Sequence, residues 1–262
     1  MIGVVFNYAI FNHFHTLMQD RNGFMNMQKR LMAFSVLLTC FIYSGSAQSL
    51  NYQEIFGQDW KKAELFVSEN EQWMKPALDK YKIPYNVAIA VVFPELVRYS
   101  ALRDKMEVTL LKALYVNLGK DYANFSVGHF QMKPSFAEKI REMAQSAMGR
   151  RSKNLFKDKS EYPDSATLRA SVVADLEDLK IQLNYLIVFF KICDNRFDLK
   201  GMDETSRLRF LATAFNSGFY RSPQEIKTME DKKFFNTRLF RTENYSYADV
   251  SLFWYNQALK SK

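Results

Sequence analysis

The chain has 262 residues, 48% hydrophobic and 24% charged, with a net charge of +8. That length and apolar content exclude a wholly disordered protein and leave room for one large domain or two small ones. The positive charge favours a polyanionic partner, but the Lys and Arg are scattered and no helix-turn-helix, zinc-finger or RNA-binding signature is present, so nucleic acid is not the expected one.

The first predicted element is an export leader. Gln28, Lys29 and Arg30 form a short basic region, and Leu31 to Tyr43 then runs nearly apolar. Gly45 and Ala47 supply the small residues, two apart, that a signal peptidase needs. The run is short for a permanent transmembrane helix. The expected division is therefore a leader over 1–47, with Met25 or Met27 the more ordinary start, and a single mature domain over 48–262. Removing the leader takes away Arg21, Lys29, Arg30 and Asp20 and lowers the net charge to +6. Cys193 is then the one cysteine left, and no internal disulfide can form. A membrane tie would need an uncleaved leader or lipidation at Cys40.

Leu50 to Lys80 reads as helix, with Trp60, Ala63, Phe66, Trp73, Met74 and Ala77 recurring at helical spacings. Ile83 to Phe93 is strongly apolar; periodicity alone would allow a buried strand, and the residues that follow favour a buried helix, which Pro94 should end or kink. Met106 to Leu118 is an amphipathic helix with Gly119 as its C-cap. Asn124 to Pro134 is a loop, and Ser135 to Met148 returns to helix. Gly149 to Asp164 lacks pattern and reads as a mobile surface loop. Ser165 to Cys193 predicts one long helix, with Leu168, Val172, Leu176, Leu179 and Leu183 in its apolar stripe. Asp203 caps a helix from Glu204 to about Phe215, and a last amphipathic helix covers Val250 to Leu259. With no repeats and no Pro/Gly-rich linker, the expected fold class is all-α in a single domain.

The same residues limit the chemistry. The mature chain has one histidine, His129, and one cysteine, too few for a His-based zinc site. No Gly-x-Ser-x-Gly turn, phosphate-binding glycine loop or dinucleotide fingerprint is present. No cofactor is expected, and carboxylate chemistry remains the main catalytic option.

Three segments carry that option. In Ala88-Ile89-Ala90-Val91-Val92-Phe93-Pro94-Glu95-Leu96, a carboxylate ends an apolar helix, where partial desolvation raises its pKa as a general acid needs. In Gly128-His129-Phe130-Gln131-Met132-Lys133-Pro134, a glycine allows close backbone approach and Gln131 offers donors and acceptors. Ala212-Thr213-Ala214-Phe215-Asn216-Ser217-Gly218 ends a helix in a polar turn. Taken singly, each is also an ordinary surface Glu, helix-initiating loop or C-cap.

Taken in order, the three resemble the soluble lytic transglycosylase family. Its catalytic Glu ends an apolar helix, a Gly-Leu-Met-Gln-Leu-Met-Pro type loop follows, and an Ala-Tyr-Asn-Ala-Gly turn comes later. A fourth family element, Glu-Thr-x-x-Tyr, is similar to Arg241-Thr242-Glu243-Asn244-Tyr245-Ser246-Tyr247. The resemblance spans about residues 83 to 252. Leu96 stands where the family usually has Ser, Phe215 where it has Tyr, and Ala101 to Leu118 looks like a lengthened segment between the first two motifs.

The resemblance implies a lysozyme-like fold and an exported, periplasmic or envelope-located, monomeric lyase acting on peptidoglycan. It implies that Glu95 protonates the bond between N-acetylmuramic acid and N-acetylglucosamine and then, as base, closes a 1,6-anhydro ring. It implies substrate-binding roles for Gly128, Gln131, Met132, Phe215 and Asn216, and for Tyr245 and Tyr247, of which Tyr247 is preferred as the residue orienting Glu95. Two other readings stay open. One is a hydrolytic muramidase of the same fold, with Asp104 or Glu107 as second carboxylate. The other is a non-catalytic glycan-binding or envelope-assembly protein.

Overall fold

An apolar run with no polar face can only be satisfied in the middle of other elements, and Ala88 to Val97, buried without interruption, occupies that place. The computed structural model describes residues 50–101, 105–157, 159–236 and 243–260. The expected leader, Cys40, Asp104, Arg241 and Thr242 all lie outside the described residues. Asn51 onward forms one compact unit. Its described part is mostly helical, with one two-stranded sheet, so the all-α expectation holds.

In chain order the elements are α1 (Tyr52–Phe56), α2 (Gln58–Asp79), α3 (Tyr85–Ala101), α4 (Lys105–Leu118), α5 (Pro134–Met148), α6 (Ser165–Glu177), α7 (Leu179–Arg196), α8 (Glu204–Ser217), α9 (Pro223–Met229), β1 (Lys233–Phe235), β2 (Tyr245–Ser246) and α10 (Tyr247–Lys260). Helix α3 packs against α2, α8 and α10. A second layer is made of α5, α6 and α7, and α4 leans on α6. Strands β1 and β2 pair antiparallel, with Phe235 opposite Tyr245. Aromatic rings fill the space around α3: Phe93 lies 4.6 Å from Trp60 and 4.9 Å from Trp254, centroid to centroid. Among the described residues no helix is long and apolar enough to cross a membrane. Cys193 is a buried free thiol, pushed well up by desolvation.

Several boundaries differ from those the sequence predicts. The first helix breaks at Gly57, whose φ of +54° is left-handed and suits a glycine. Pro94 does not end α3, which runs through it to Ala101. Proline removes one i→i−4 hydrogen bond, and packing of α3 against three helices outweighs that loss. Gly149 to Asp164 is not patternless: two 3-10 turns, Gly149–Asn154 and Lys159–Glu161, lie in it, and Leu155 and Phe156 pack on the core.

The predicted long helix from Ser165 is two helices. Asp178 interrupts it with extended backbone and caps α7, its Oδ1 accepting from the amides of Lys180 at 2.7 Å and Ile181 at 3.2 Å. The apolar stripe keeps its phase across the break at Leu176, Leu179 and Leu183, so periodicity conceals it. The last helix begins at Tyr247, three residues before the expected Val250, and α9, β1 and β2 add to the expected elements, whereas two caps agree with the sequence. Asp203 caps α8 through the Ser206 amide at 2.9 Å, and the Gly119 amide closes α4 on the Tyr115 carbonyl at 2.8 Å.

Asp178→Ala removes the acceptor for two helix-start amides. It should lower stability by about 1 kcal/mol in chemical denaturation. An unchanged denaturation midpoint would mean that the helix break does not depend on this cap.

Candidate active site

Glu95 sits on α3 one turn after Val91, between Phe93 and Leu96, and is itself only 4% exposed. Burial pushes its carboxyl up from the ordinary 4.5 to about 7, against the opposing pull of the Arg98 and Lys133 charges and of a hydrogen bond from Arg98. Arg98 lies three residues on along the same helix face. One of its nitrogens, Nη1, donates to both carboxylate oxygens, at 3.2 Å to Oε1 and 3.0 Å to Oε2. Its guanidinium lies 4.8 Å from the centre of the Phe235 ring, so Arg98 is held between the carboxylate and an aromatic of β1.

The loop before α5 is shaped by a close turn. Val127 and Met132 exchange backbone hydrogen bonds of 2.9 and 3.1 Å. Gly128 (φ +72°) and Gln131 (φ +47°) both adopt left-handed backbone inside it. The turn is fastened to the core by Gln182 of α7, which is fully buried. Its Oε1 accepts from the Phe130 amide at 2.8 Å, and its Nε2 donates to the Leu176 carbonyl at 2.9 Å. His129 stacks on Phe66 at 4.7 Å and tilts against Tyr99 at 4.4 Å; desolvation lowers its pKa. Gln131 folds its amide back, donating from Nε2 to the Gly128 carbonyl at 2.8 Å.

The end of α8 supplies the facing wall. Phe215 lies edge-on to Phe136 at 5.1 Å and Phe189 at 5.4 Å. Asn216 is exposed, and Gly218 closes the helix with φ +111°, its amide bonding the Ala214 carbonyl at 3.0 Å.

These three segments meet around one cleft of about 190 Å³. Helix α3 contributes Glu95 and Arg98. The loop contributes Asn124, Ser126, Gln131, Met132 and Lys133, and the first turn of α5 adds Ser135 and Phe136. Phe215, Asn216, Ser217, Gly218 and Tyr220 complete the lining. Glu95 is the one carboxylate among these lining residues.

Five residues singled out from the sequence, Glu95, Gln131, Met132, Phe215 and Asn216, thus come together. Three others do not line the cleft. Gly128 faces inward: a Cβ there would collide with Gln182 Nε2 and the Leu176 carbonyl, so its close approach is to the core and not to a ligand. Tyr245 is buried between Tyr52 and Phe56, and its hydroxyl donates to Glu243 at 2.8 Å. Tyr247 is buried behind Glu95; its hydroxyl donates to the Val91 carbonyl at 2.9 Å, one turn before the carboxylate. Burial and then the Glu95 charge hold that phenol well above its ordinary range. It fixes the helix that carries Glu95 without touching the cleft.

Sequence reasoning missed Arg98, Lys133 and Tyr220. The i,i+3 spacing of Glu95 and Arg98 was the available signal for the first. Among the described residues no group of three His, Cys, Asp or Glu could hold a metal ion. Comparison with known protein families, with curated proteins and with solved structures finds no match.

The raised Glu95 pKa has a thermodynamic consequence. Between about pH 4.5 and 7 the folded chain holds this proton more tightly than the unfolded one, so its stabilising contribution is full below 4.5 and lost as pH rises through 7. Glu95→Gln should therefore be more stable than the parent at pH 8, by about 3 kcal/mol, and equal to it at pH 4. Paired melts at the two pH values test this; a difference that does not vary with pH rules it out. Gly128→Ala should lose at least about 2 kcal/mol, because both the backbone angle and the Gln182 contact oppose a side chain. A melting point within a degree of the parent would contradict it.

Proposed function

We propose that this chain is an exported peptidoglycan lytic transglycosylase with a lysozyme-like arrangement of helices, in which Glu95 is both general acid and general base. The observation that carries the reading is Glu95 itself. It is a single buried carboxyl, poised near pH 7, in a cleft built from the same three segments that resemble the family's motifs.

One carboxyl suffices for a reaction that returns its own proton. Protonated Glu95 donates to the glycosidic oxygen as the C1–O4 bond breaks, and the N-acetylglucosamine hydroxyl departs. The resulting carboxylate takes the proton from the C6 hydroxyl of N-acetylmuramic acid as that oxygen closes on C1. The 1,6-anhydro ring forms, no water is consumed and Glu95 is again an acid. The resemblance adds assistance from the sugar's own acetamido group. Arg98 sits where it stabilises the carboxylate between the two steps, and the polar rim of Gln131 and Asn216 suits hydroxyl and amide groups of a glycan.

Mass spectrometry of muropeptides after incubation with peptidoglycan tests this directly. Anhydro-muropeptides should form with the parent protein and fall at least about a hundredfold with Glu95→Gln. Reducing-end products would replace the transglycosylase by a hydrolase. No products from folded protein would turn the cleft into a binding site. The kcat/KM profile should fall as pH rises through about 7, where Glu95 loses its proton. Arg98→Met, which removes a charge favouring the carboxylate, should move that limb to higher pH; an unmoved limb would exclude Arg98 as the group that sets it.

A further inference from the structure

Tyr220 stands apart from the other aromatics of its wall. Phe215 and Phe219 are buried, 6% and 0% exposed, whereas Tyr220 lines the same cleft as Glu95 and stays 51% exposed. Scattered exposed aromatics are ordinary on protein surfaces, so exposure alone decides nothing. The seat beneath this ring is what distinguishes it.

The main chain at Tyr220 is fastened on both sides. Arg196 Nη2 donates to the carbonyls of Tyr220 at 2.9 Å and Arg221 at 3.4 Å. Arg221 Nε donates to the Ser217 carbonyl at 2.8 Å, and the Arg221 amide closes a turn on Gly218 at 3.3 Å. The ring itself rests against Gly218. A Cβ at that position would stand 2.7 Å from Cε1 and Cζ of the ring, and the φ of +111° is one that side chains rarely adopt. The turn favours glycine there through its backbone angle, and the missing side chain leaves the space that the ring occupies.

The chemistry around the ring is amphipathic in the way a sugar is. A pyranose has a face of polarised C–H groups and a rim of hydroxyls. An aromatic face carries negative quadrupolar charge and suits the former. Polar side chains suit the latter, and the cleft supplies Asn124, Ser126, Ser135 and Asn216. Ser135 and Asn124 are already ordered by a 2.9 Å hydrogen bond. A volume of about 190 Å³ is less than the roughly 300–1,000 Å³ of a usual small-molecule pocket, room for one sugar-sized group with the strand continuing over an open rim.

We propose that the Tyr220 ring, seated on Gly218, is the stacking platform for one N-acetylhexosamine of the glycan at the rim of the Glu95 cleft. This rests on the glycan-cleaving reading of the cleft and deepens it. Tyr220 is a substrate-binding residue in this proposal and takes no part in proton transfer.

The test measures binding of a soluble N-acetylglucosamine tetramer by calorimetry in the Glu95→Gln background, together with turnover of peptidoglycan by the otherwise native chain. Adding Tyr220→Ala should weaken binding roughly tenfold or more, whereas Tyr220→Phe, which keeps the ring, should stay within about threefold of the parent. In turnover, Tyr220→Ala should raise KM and leave kcat and the product unchanged in kind. Melting points of the variants should match, since the side chain is half in water. Cleavage by the parent combined with equal binding by Tyr220→Ala overturns the platform and leaves the enzyme standing. Equal losses with Ala and Phe also overturn it, because a hydroxyl contact and not stacking would then be responsible. Absence of both cleavage and oligosaccharide binding in the parent overturns the platform and the glycan-cleaving reading together.

Discussion

Burying a carboxyl group in a helix that has no polar face is the constraint around which this molecule is arranged. An ionised carboxylate with 4% exposure is strongly disfavoured unless something offsets its lost hydration. The chain supplies part of that offset and no more. Arg98 is close enough to stabilise the charged form, yet burial still leads, and the carboxyl settles near pH 7. The arrangement reaches far along the sequence. Arg98 is held over Phe235, which belongs to β1, and Phe235 in turn lies edge-on to Tyr247 at 5.7 Å. Tyr247 opens α10 and bonds the Val91 carbonyl one turn before Glu95. The aromatic-rich C-terminal region therefore encloses and steadies a group that sits well over a hundred residues earlier. Above pH 7 the buried carboxylate costs the fold stability.

A second dependence links the site to the one helix break that periodicity conceals. Because α6 stops at Glu177, the Leu176 carbonyl near its end lacks a helical partner. Gln182, one turn into α7, reaches back to it and presents its other end to the Phe130 amide. A continuous helix from Ser165 would have used the Leu176 carbonyl internally and left the buried Gln182 amide unpaired. The capping by Asp178 thus does more than start a helix. It frees the acceptor that orients Gln182, and Gln182 holds the turn from which Gln131 and Met132 line the cleft.

These two dependences show what was legible in the sequence and what was not. The apolar run ending at Glu95 was readable, because ten buried residues in succession leave few alternatives to a central helix. Asp203 and Gly119 were readable as caps, since both stand where the apolar periodicity stops. Asp178 stands where it does not stop, and the uninterrupted stripe masked it. Pro94, expected to end or kink the helix, does not end it, because tertiary packing carries the helix through a residue that local rules treat as a terminator. At the site, linear motifs located the cleft but not the facing of each residue. Gly128 belongs to the turn yet points at Gln182, and Tyr245 and Tyr247 belong to the last segment yet lie behind Glu95 or beside α1. A motif records which residues travel together along the chain; which side of a loop meets solvent is decided by partners such as Gln182 that lie outside it. Tyr220 carried no motif, and only its seat on Gly218 sets it apart.

The electrostatics of the cleft bear on why one carboxyl can serve a cyclic proton transfer. A general acid far above the working pH donates poorly, and one far below it is rarely protonated. In the proposed reaction the same group must do both jobs in turn, so neither form can be much favoured. Burial alone would leave Glu95 a persistent acid, reluctant to exist as the carboxylate between the steps. Arg98 and Lys133 alone, acting on a solvated carboxyl, would leave a persistent base. With the pKa near 7, each form lies within about 1.4 kcal/mol of the other across a pH unit on either side. In the proposed reaction, the competition between desolvation and the Arg98 and Lys133 charges would let the one carboxylate of the cleft, flanked there by two cations, serve in both steps.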